Sequence, residues 1–381
     1  MDFSWSPEQT ELREMVIDFA RKHLASDVAA LDRTHAFDRD GWRKCAEFGI
    51  QGLTVPERYG GTSRDPLTTI AALEALGYAC RDNGLMFSIN AHMWTCEMPL
   101  LAFGTDEQKD RFLPGLVRGE LIGGNAMSEP NAGSDAYSLR TTAMRRGDVY
   151  VLNGSKLWVT NGPVADLIVV FASVDPDKGQ RGVSAFIVER GMRGFAVTRE
   201  VEKMGVRTSP MGELHLADCE VPVANLLGKE GAGSALFTHA MTWERGFILA
   251  TAVGAMQRQL ETCIRYARER KQFGEPISKF QLVASKLVDM RMRLENARAM
   301  LYRFGWMRAR GRTAVLEAAM AKLAISEAWV QSCMDAIQIH GANGYAVEYQ
   351  IEREMRDALA SRIYSGTSEI QRIIIASLLR A

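Results

Sequence analysis

Three short segments carry residues suited to holding a flat, partly anionic group. Met127-Ser128-Glu129-Pro130-Asn131-Ala132-Gly133-Ser134-Asp135 is rich in turn formers and sets backbone N–H groups beside two hydroxyls. Such a loop suits an anion or the carbonyl and phosphate oxygens of a ligand; taken alone, a solvated loop accounts for it better. In Lys156-Leu157-Trp158-Val159-Thr160-Asn161-Gly162, Trp158 and Thr160 stand two apart on an expected strand and so face the same side. An indole there could cover a planar ring while the hydroxyl meets its edge. A buried strand ending in an Asn-Gly turn is the plainer reading. In Tyr364-Ser365-Gly366-Thr367-Ser368-Glu369-Ile370-Gln371-Arg372, Thr367 or Ser368 is placed to cap the last helix. A helix N-terminus can hold an anion or an electron-rich ring edge, although an ordinary cap again suffices.

These segments need elements to position them. Ser6-Pro7-Glu8-Gln9 predicts a capping box opening a helix, and Leu12, Met15, Val16, Phe19 and Ala20 follow at helical spacing. Further helices are expected after Asp40 up to Gly49, over 66–78, and from a Thr105 cap to a stop at Pro114. Between about 123 and 228 the pattern changes to β-favouring runs at 149–152, 157–160, 167–171, 183–188 and 213–216. Gly, Asn, Asp and Pro separate them, as in an antiparallel sheet. Strands do not alternate with helices, so a Rossmann-type sheet is not expected. Long helices return over 235–270, 278–310, 312–340 and 368–379. The expected fold is therefore α+β and mainly α: an N-terminal helical domain (1–122), a middle antiparallel β-domain (123–230) and a C-terminal four-helix bundle (231–381).

Composition limits the function classes. Forty-six basic residues balance 46 acidic ones among 381, so nothing in the charge points to nucleic acid or a membrane surface, although a zero sum leaves room for a locally basic groove. Six scattered cysteines (Cys45, Cys80, Cys96, Cys219, Cys263, Cys333) form no CxxC, predicting neither metal site nor disulfide framework and fitting a reduced, cytoplasmic setting. The acidic start, 1–11, lacks the apolar run of a secretory signal. The longest nearly apolar stretch, 247–256, is too short to span a bilayer.

In order and spacing, the three segments resemble the acyl-CoA dehydrogenase family. Lys203-Met204-Gly205-Val206-Arg207-Thr208-Ser209, Glu269-Arg270-Lys271-Gln272-Phe273-Gly274 and Gln338-Ile339-His340-Gly341-Ala342-Asn343-Gly344-Tyr345 extend the likeness over essentially the whole chain. The resemblance implies a tightly but noncovalently bound FAD and removal of hydrogen from C2 and C3 of an acyl thioester. It places Met127, Ser128, Trp158 and Thr160 on the isoalloxazine, Ser134 on the thioester, and Arg245 near the pantetheine or nucleotide arm. Arg270, Phe273 and Gln281 would come from a neighbouring subunit to the FAD pyrophosphate and adenosine. Gln338 and Gly341 would act in that shared site, and Thr367 and Glu369 would meet the pyrophosphate and sugar. A shared cofactor implies at least a dimer, and in this family usually a tetramer.

The reaction so implied needs a base for the C2 proton and donors at the thioester oxygen. The resemblance gives the donors as the backbone N–H of Ser365 and a ribityl hydroxyl of FAD. Most members carry Glu just before Gly-Thr-Ser, where this chain has Ser365, whose hydroxyl is too weakly acidic to act alone. Trp243-Glu244-Arg245 is similar to the minority pattern of isovaleryl-CoA dehydrogenase, in which the glutamate before this arginine serves. Glu244 is therefore the expected base, against the alternative of an intrahelical ion pair. Tyr364 stands where isovaleryl-CoA dehydrogenases have a small residue, which argues against a branched acyl pocket. Met-Thr-Trp-Glu-Arg with Ile-Tyr-Ser-Gly-Thr-Ser is also similar to prolyl-carrier-protein dehydrogenases, so the thioester is expected on CoA or on a carrier protein. Electrons would pass to an electron-transfer flavoprotein, or to oxygen in an oxidase. A flavin-free scaffold, supported by Ser365 alone, would be colourless.

Overall fold

A computed structural model describes residues 4–24 and 27–379; Met1–Phe3 of the acidic start lie outside the described residues. The first helix, Pro7–His23, opens on the expected capping box, with the Gln9 N–H donating to Ser6 Oγ at 3.1 Å and the Ser6 N–H to Gln9 Oε1 at 3.1 Å. Helices Val28–Thr34, Arg39–Phe48, Pro66–Ala79, Asn83–His92, Met98–Phe103 and Asp106–Val117 follow. Thr105 caps the last of these, but the helix runs through Pro114 instead of stopping there. Leu113, Leu116 and Val117 are buried around that proline; their packing outweighs the lost N–H and ring clash that favoured a stop. Asn83–His92 and the π-turn Met93–Glu97 were not expected. Nearly every side chain there is buried, so the segment has no amphipathic period to read.

The middle of the chain forms an eight-stranded sheet. Seven strands run in the order Phe195–Glu200, Met211–Pro222, Val149–Thr160, Thr142–Arg146, Leu167–Ser173, Val183–Glu189 and Leu226–Leu227. Pairing is antiparallel except where Gly123–Ala126 lies parallel to Leu167–Ser173, and at one Thr142–Ser173 register pair. The runs 149–152 and 157–160 are one strand, Val149–Thr160, with register shifts on either side of Gly154–Lys156. Gly154 lets the chain pass Thr141 closely, since a Cβ there would lie 2.3 Å from Thr141 Oγ1. Along Leu167–Ser173, Leu167, Val169 and Phe171 enter a core shared with helix Asp106–Val117. The alternate residues Ile168, Val170 and Ala172 enter the core within the sheet.

The C-terminal helices are Gly233–Phe247, Ala250–Glu269, Gln281–Ala309, Val315–His340, Ile351–Ala360 and Ser368–Leu379. The single helix expected over 235–270 bends at Ile248–Leu249. Both residues are buried; tertiary packing imposes the bend, and no Pro or Gly stands at it to signal it. Past the bend, Gly254 crosses helix Pro66–Ala79 so closely that a Cβ would lie 2.0 Å from the Glu74 carbonyl oxygen. That crossing joins the first and last helical layers beneath the bend. Among the described residues no helix is long and apolar enough to cross a membrane. All six cysteines are buried free thiols.

Candidate active site

Glu244 sits on helix Gly233–Phe247 and is only 7 % exposed. It pairs with no cation among the described residues, which removes the intrahelical ion-pair reading. Burial pushes its carboxyl up to about 7, while Ser365, Arg245 and Lys322 pull in the opposite direction. Ser365 stands against the carboxylate, but its hydroxyl meets the geometry of no hydrogen bond. The Ser365 backbone is in the left-handed region, φ 57°, followed by Gly366 at 87°. A non-glycine residue pays for that conformation, and surrounding contacts must enforce it.

Three side chains enforce it. Arg245 Nε donates to the Ser365 carbonyl at 3.0 Å, Gln371 Nε2 to the carbonyls of Ser365 (3.1 Å) and Gly366 (2.9 Å), and Lys322 Nζ to Gly366 at 2.8 Å. Both carbonyls are thus turned toward donors, and the Ser365 N–H finds no acceptor among the described residues. Arg245, expected near the substrate arm, is engaged here through its Nε. Lys322 and Gln371 were missed by the sequence reading. Lys322 is fully buried, and burial lowers its ammonium to about 7 against the pull of Glu244. Its signal was a lone lysine on the apolar stripe Ala318, Ala321, Ile325 of a helix. Tyr364 packs on Phe87 with ring centroids 4.5 Å apart. Thr367, not Ser368, caps the last helix, accepting from the Ile370 N–H at 3.3 Å; Ser368 Oγ donates to Glu327 at 2.6 Å.

The loop from Met127 to Asp135 is pinned from beneath, which a solvated loop would not be. Glu129 accepts from Lys156 Nζ at 2.7 Å and from the N–H groups of Arg140 (2.7 Å) and Thr141 (3.1 Å), and Lys156 is fully buried. Lys156 also donates to the Met127 carbonyl at 3.2 Å, and the Leu157 N–H to that of Ser128 at 2.9 Å. Met127 and Ser128 are thereby fixed beside the strand bearing Trp158 and Thr160. Trp158 does not share a regular face with Thr160, as the two-residue alternation predicted. It lies at a bulge with φ 59°, its indole 56 % exposed, because three steps from Lys156 to Val159 oppose two from Leu214 to Gly212. Ser134 is exposed at the end of the pinned loop.

Arg270, Phe273 and Gln281 gather elsewhere, around the small hairpin after helix Ala250–Glu269. Phe273 projects 96 % exposed from a left-handed backbone. Gln338 and Gly341 lie at the same end of the bundle. There Tyr266, one turn before Arg270, stacks on His340 at 4.1 Å and donates to its carbonyl. Among the described residues no hydrogen bond or ring contact joins this group to Glu244 or Trp158. Glu369 is exposed on the first turn of the last helix.

Beside Glu244 the helix borders an aromatic wall. Trp94, Trp243 and Phe247 stack together, Trp94 lying parallel to Trp243 at 6.1 Å and 4.5 Å from Phe247. Trp94 is completely buried. The outer face of Trp243 lines a cavity of about 510 Å³ with Tyr137, Thr238, His239, Thr242 and Arg308.

Known proteins match this arrangement over its whole length. Models of the acyl-CoA dehydrogenase N-terminal, middle and C-terminal domains match residues 6–120, 124–219 and 231–379. An L-prolyl-[peptidyl-carrier protein] dehydrogenase of a Serratia species is 41% identical over 99% of this chain and 97% of its own. The crystal structure of the prolyl acyl carrier protein oxidase AnaB superimposes with a TM-score of 0.98 at 56% identity, covering 99% of this chain and 100% of that one. PigA with FAD and proline superimposes with a TM-score of 0.97 at 40% identity, covering 100% and 99%. With relatives at this identity spanning both chains, and the helix–sheet–helix order in place, the chain belongs to the acyl-CoA dehydrogenase family.

Proposed function

We propose that this protein is an FAD-dependent dehydrogenase that removes hydrogen from C2 and C3 of a prolyl thioester carried on a phosphopantetheine arm, with Glu244 as the base. The observation that carries the proposal is a buried, cation-free carboxylate facing the strained Ser365 turn. A carboxylate poised near neutrality both holds and releases a proton readily. The Ser365 N–H, lacking an acceptor, is free to polarise the thioester carbonyl and acidify C2. Glu244 then takes the C2 proton onto its carboxyl. When bound, FAD supplies the acceptor for the C3 hydride. The aromatic wall favours a compact acyl group, and the relatives named for prolyl thioesters support the same choice.

The residues present fit FAD. An indole half out in solvent on a strained bulge and a phenylalanine almost wholly exposed are costly unless a planar group or a neighbouring chain covers them. Met127, Ser128, Trp158 and Thr160 would hold the isoalloxazine, with Thr367 and Glu369 toward the pyrophosphate and sugar. Arg270, Phe273, Gln281, Gln338 and Gly341 would serve a neighbouring subunit's cofactor, making the protein a homo-oligomer, in the family's manner a tetramer. Ser134 would meet the bound thioester and Tyr364 the acyl group.

Incubating FAD-loaded protein with a prolyl-loaded carrier protein should lower the mass of the carrier-bound acyl group by two hydrogens. An unchanged mass with an intact carrier would refute the reading. Activity should also depend on pH in a defined sense. Glu244 works only when deprotonated, so kcat/KM should fall as pH drops through about 7 and level off above it. An acid limb lying wholly below pH 5 would contradict a buried base. AnaB is named an oxidase, which favours oxygen as acceptor over an electron-transfer flavoprotein. Oxygen uptake without added acceptor separates the two.

A further inference from the structure

The 510 Å³ cavity on the Trp243 side of helix Gly233–Phe247 has Arg308 in its wall and further arginines close by in the chain. Its wall includes three buried nitrogens without partners, Nε2 of His239, Nε1 of Trp243 and Nε of Arg308, together with hydroxyls of Ser234, Thr238, Thr242 and Tyr137. The last turn of helix Gln281–Ala309 carries Arg308, and the connection from it to Val315–His340 carries Arg310 and Arg312. Arg308 lies over Trp243 at 4.5 Å, while Arg310 and Arg312 lie over Trp306 at 3.9 and 5.7 Å. None of the three meets a carboxylate among the described residues, although Arg303 nearby is paired with Glu317. On the opposite side Gln180 lines the cavity, and the next residue, Arg181, is exposed and likewise unpaired. The chain as a whole is neutral, so this is a local concentration of charge. Stacking on two indoles orders the guanidinium groups, and among the described residues their one hydrogen bond is from Arg308 Nη1 to the Arg312 carbonyl at 3.2 Å.

We infer that the Arg308–Arg312 segment, with Arg181 next to the cavity-lining Gln180, is the docking surface for a carrier protein whose face around its phosphopantetheine serine is acidic. The inference rests on the thioester reading above and adds the partner's surface. An acidic carrier face would satisfy the unpaired guanidinium groups while its arm entered the polar cavity, whose inner wall, Trp243, adjoins Glu244 in the helix. Because the rim is exposed, its charge should act mainly on encounter and be screened by salt.

The test uses the FAD-loaded enzyme, wild type and Arg310→Glu/Arg312→Glu, with three probes: a prolyl-loaded peptidyl carrier protein, prolyl-CoA and prolyl-pantetheine. Charge reversal should raise KM for the carrier thioester about tenfold or more, leave its kcat unchanged, abolish the salt dependence of its KM, and leave prolyl-pantetheine turnover as in wild type. An unchanged carrier KM, or equal losses with carrier and pantetheine thioesters, would overturn the docking surface. So would a rise in KM confined to prolyl-CoA, which would give the rim to the nucleotide. Should wild type itself process none of the three, the thioester reading fails and the docking surface falls with it.

Discussion

Glu244→Gln should slow anaerobic flavin reduction by a prolyl thioester about 10³-fold, equivalent to roughly 4 kcal/mol of transition-state stabilisation. The substitution keeps the side chain's volume and its place against Ser365 but removes the proton acceptor. FAD content, melting temperature and thioester affinity should therefore remain near wild-type values. The uncompensated burial of the carboxylate disappears in the variant, so stability should hold or rise slightly. Rapid-mixing absorbance of the flavin, with a parallel binding titration, checks both halves. Equal reduction rates in the two proteins would remove Glu244 from the mechanism. With the position before Gly366 occupied by serine, the described residues around Ser365 offer no second carboxylate in that place.

The second large effect concerns stability. Lys156→Met should destabilise the protein by about 3–5 kcal/mol, because Glu129 would keep a buried charge with only two backbone N–H donors. In a thermal scan of a chain this long this corresponds to a fall of roughly 4–6 °C in Tm. The Met127 carbonyl would also lose its ammonium donor, so retention of FAD should weaken along with the fold. Lys156→Met/Glu129→Gln should recover most of the loss, since the amide keeps an acceptor for Arg140 and Thr141 without stranding a charge. Failure of the double variant to recover would mean that the lysine matters for something other than its pairing with Glu129.

Much of the layout was open to inspection in the chain. The Ser6 capping box, the Thr105 cap, the β-favouring run 167–171 and the long helix ending at His340 all express local rules that tertiary packing did not override. Where packing did override them, the reading missed. Pro114 continues its helix because its neighbours are buried, Ile248–Leu249 bends without a breaker residue, and Trp158 leaves the strand alternation at a bulge. Asn83–Glu97 escaped notice because burial on every side erases periodicity. The candidate site divides along the same line. Glu244 could be picked from its neighbours in sequence, but the raised pKa that suits it to its task arises from burial, held in check by Ser365, Arg245 and Lys322, and both effects exist only in three dimensions. Lys322 and Gln371 act on backbone carbonyls; the apolar stripe around Lys322 marks it as buried but does not name its partner.

The central claim is that this protein oxidises a carrier-bound prolyl thioester, and anaerobic mixing tests it most directly. Purified FAD-loaded protein would be combined with a prolyl-loaded carrier protein, with unloaded carrier as control, and the flavin absorbance followed. The account predicts bleaching by the prolyl thioester and none by the unloaded carrier. A persistent oxidised spectrum with the prolyl thioester, alongside bleaching by an acyl-CoA, would contradict the assigned substrate; persistence with every thioester would contradict the activity itself.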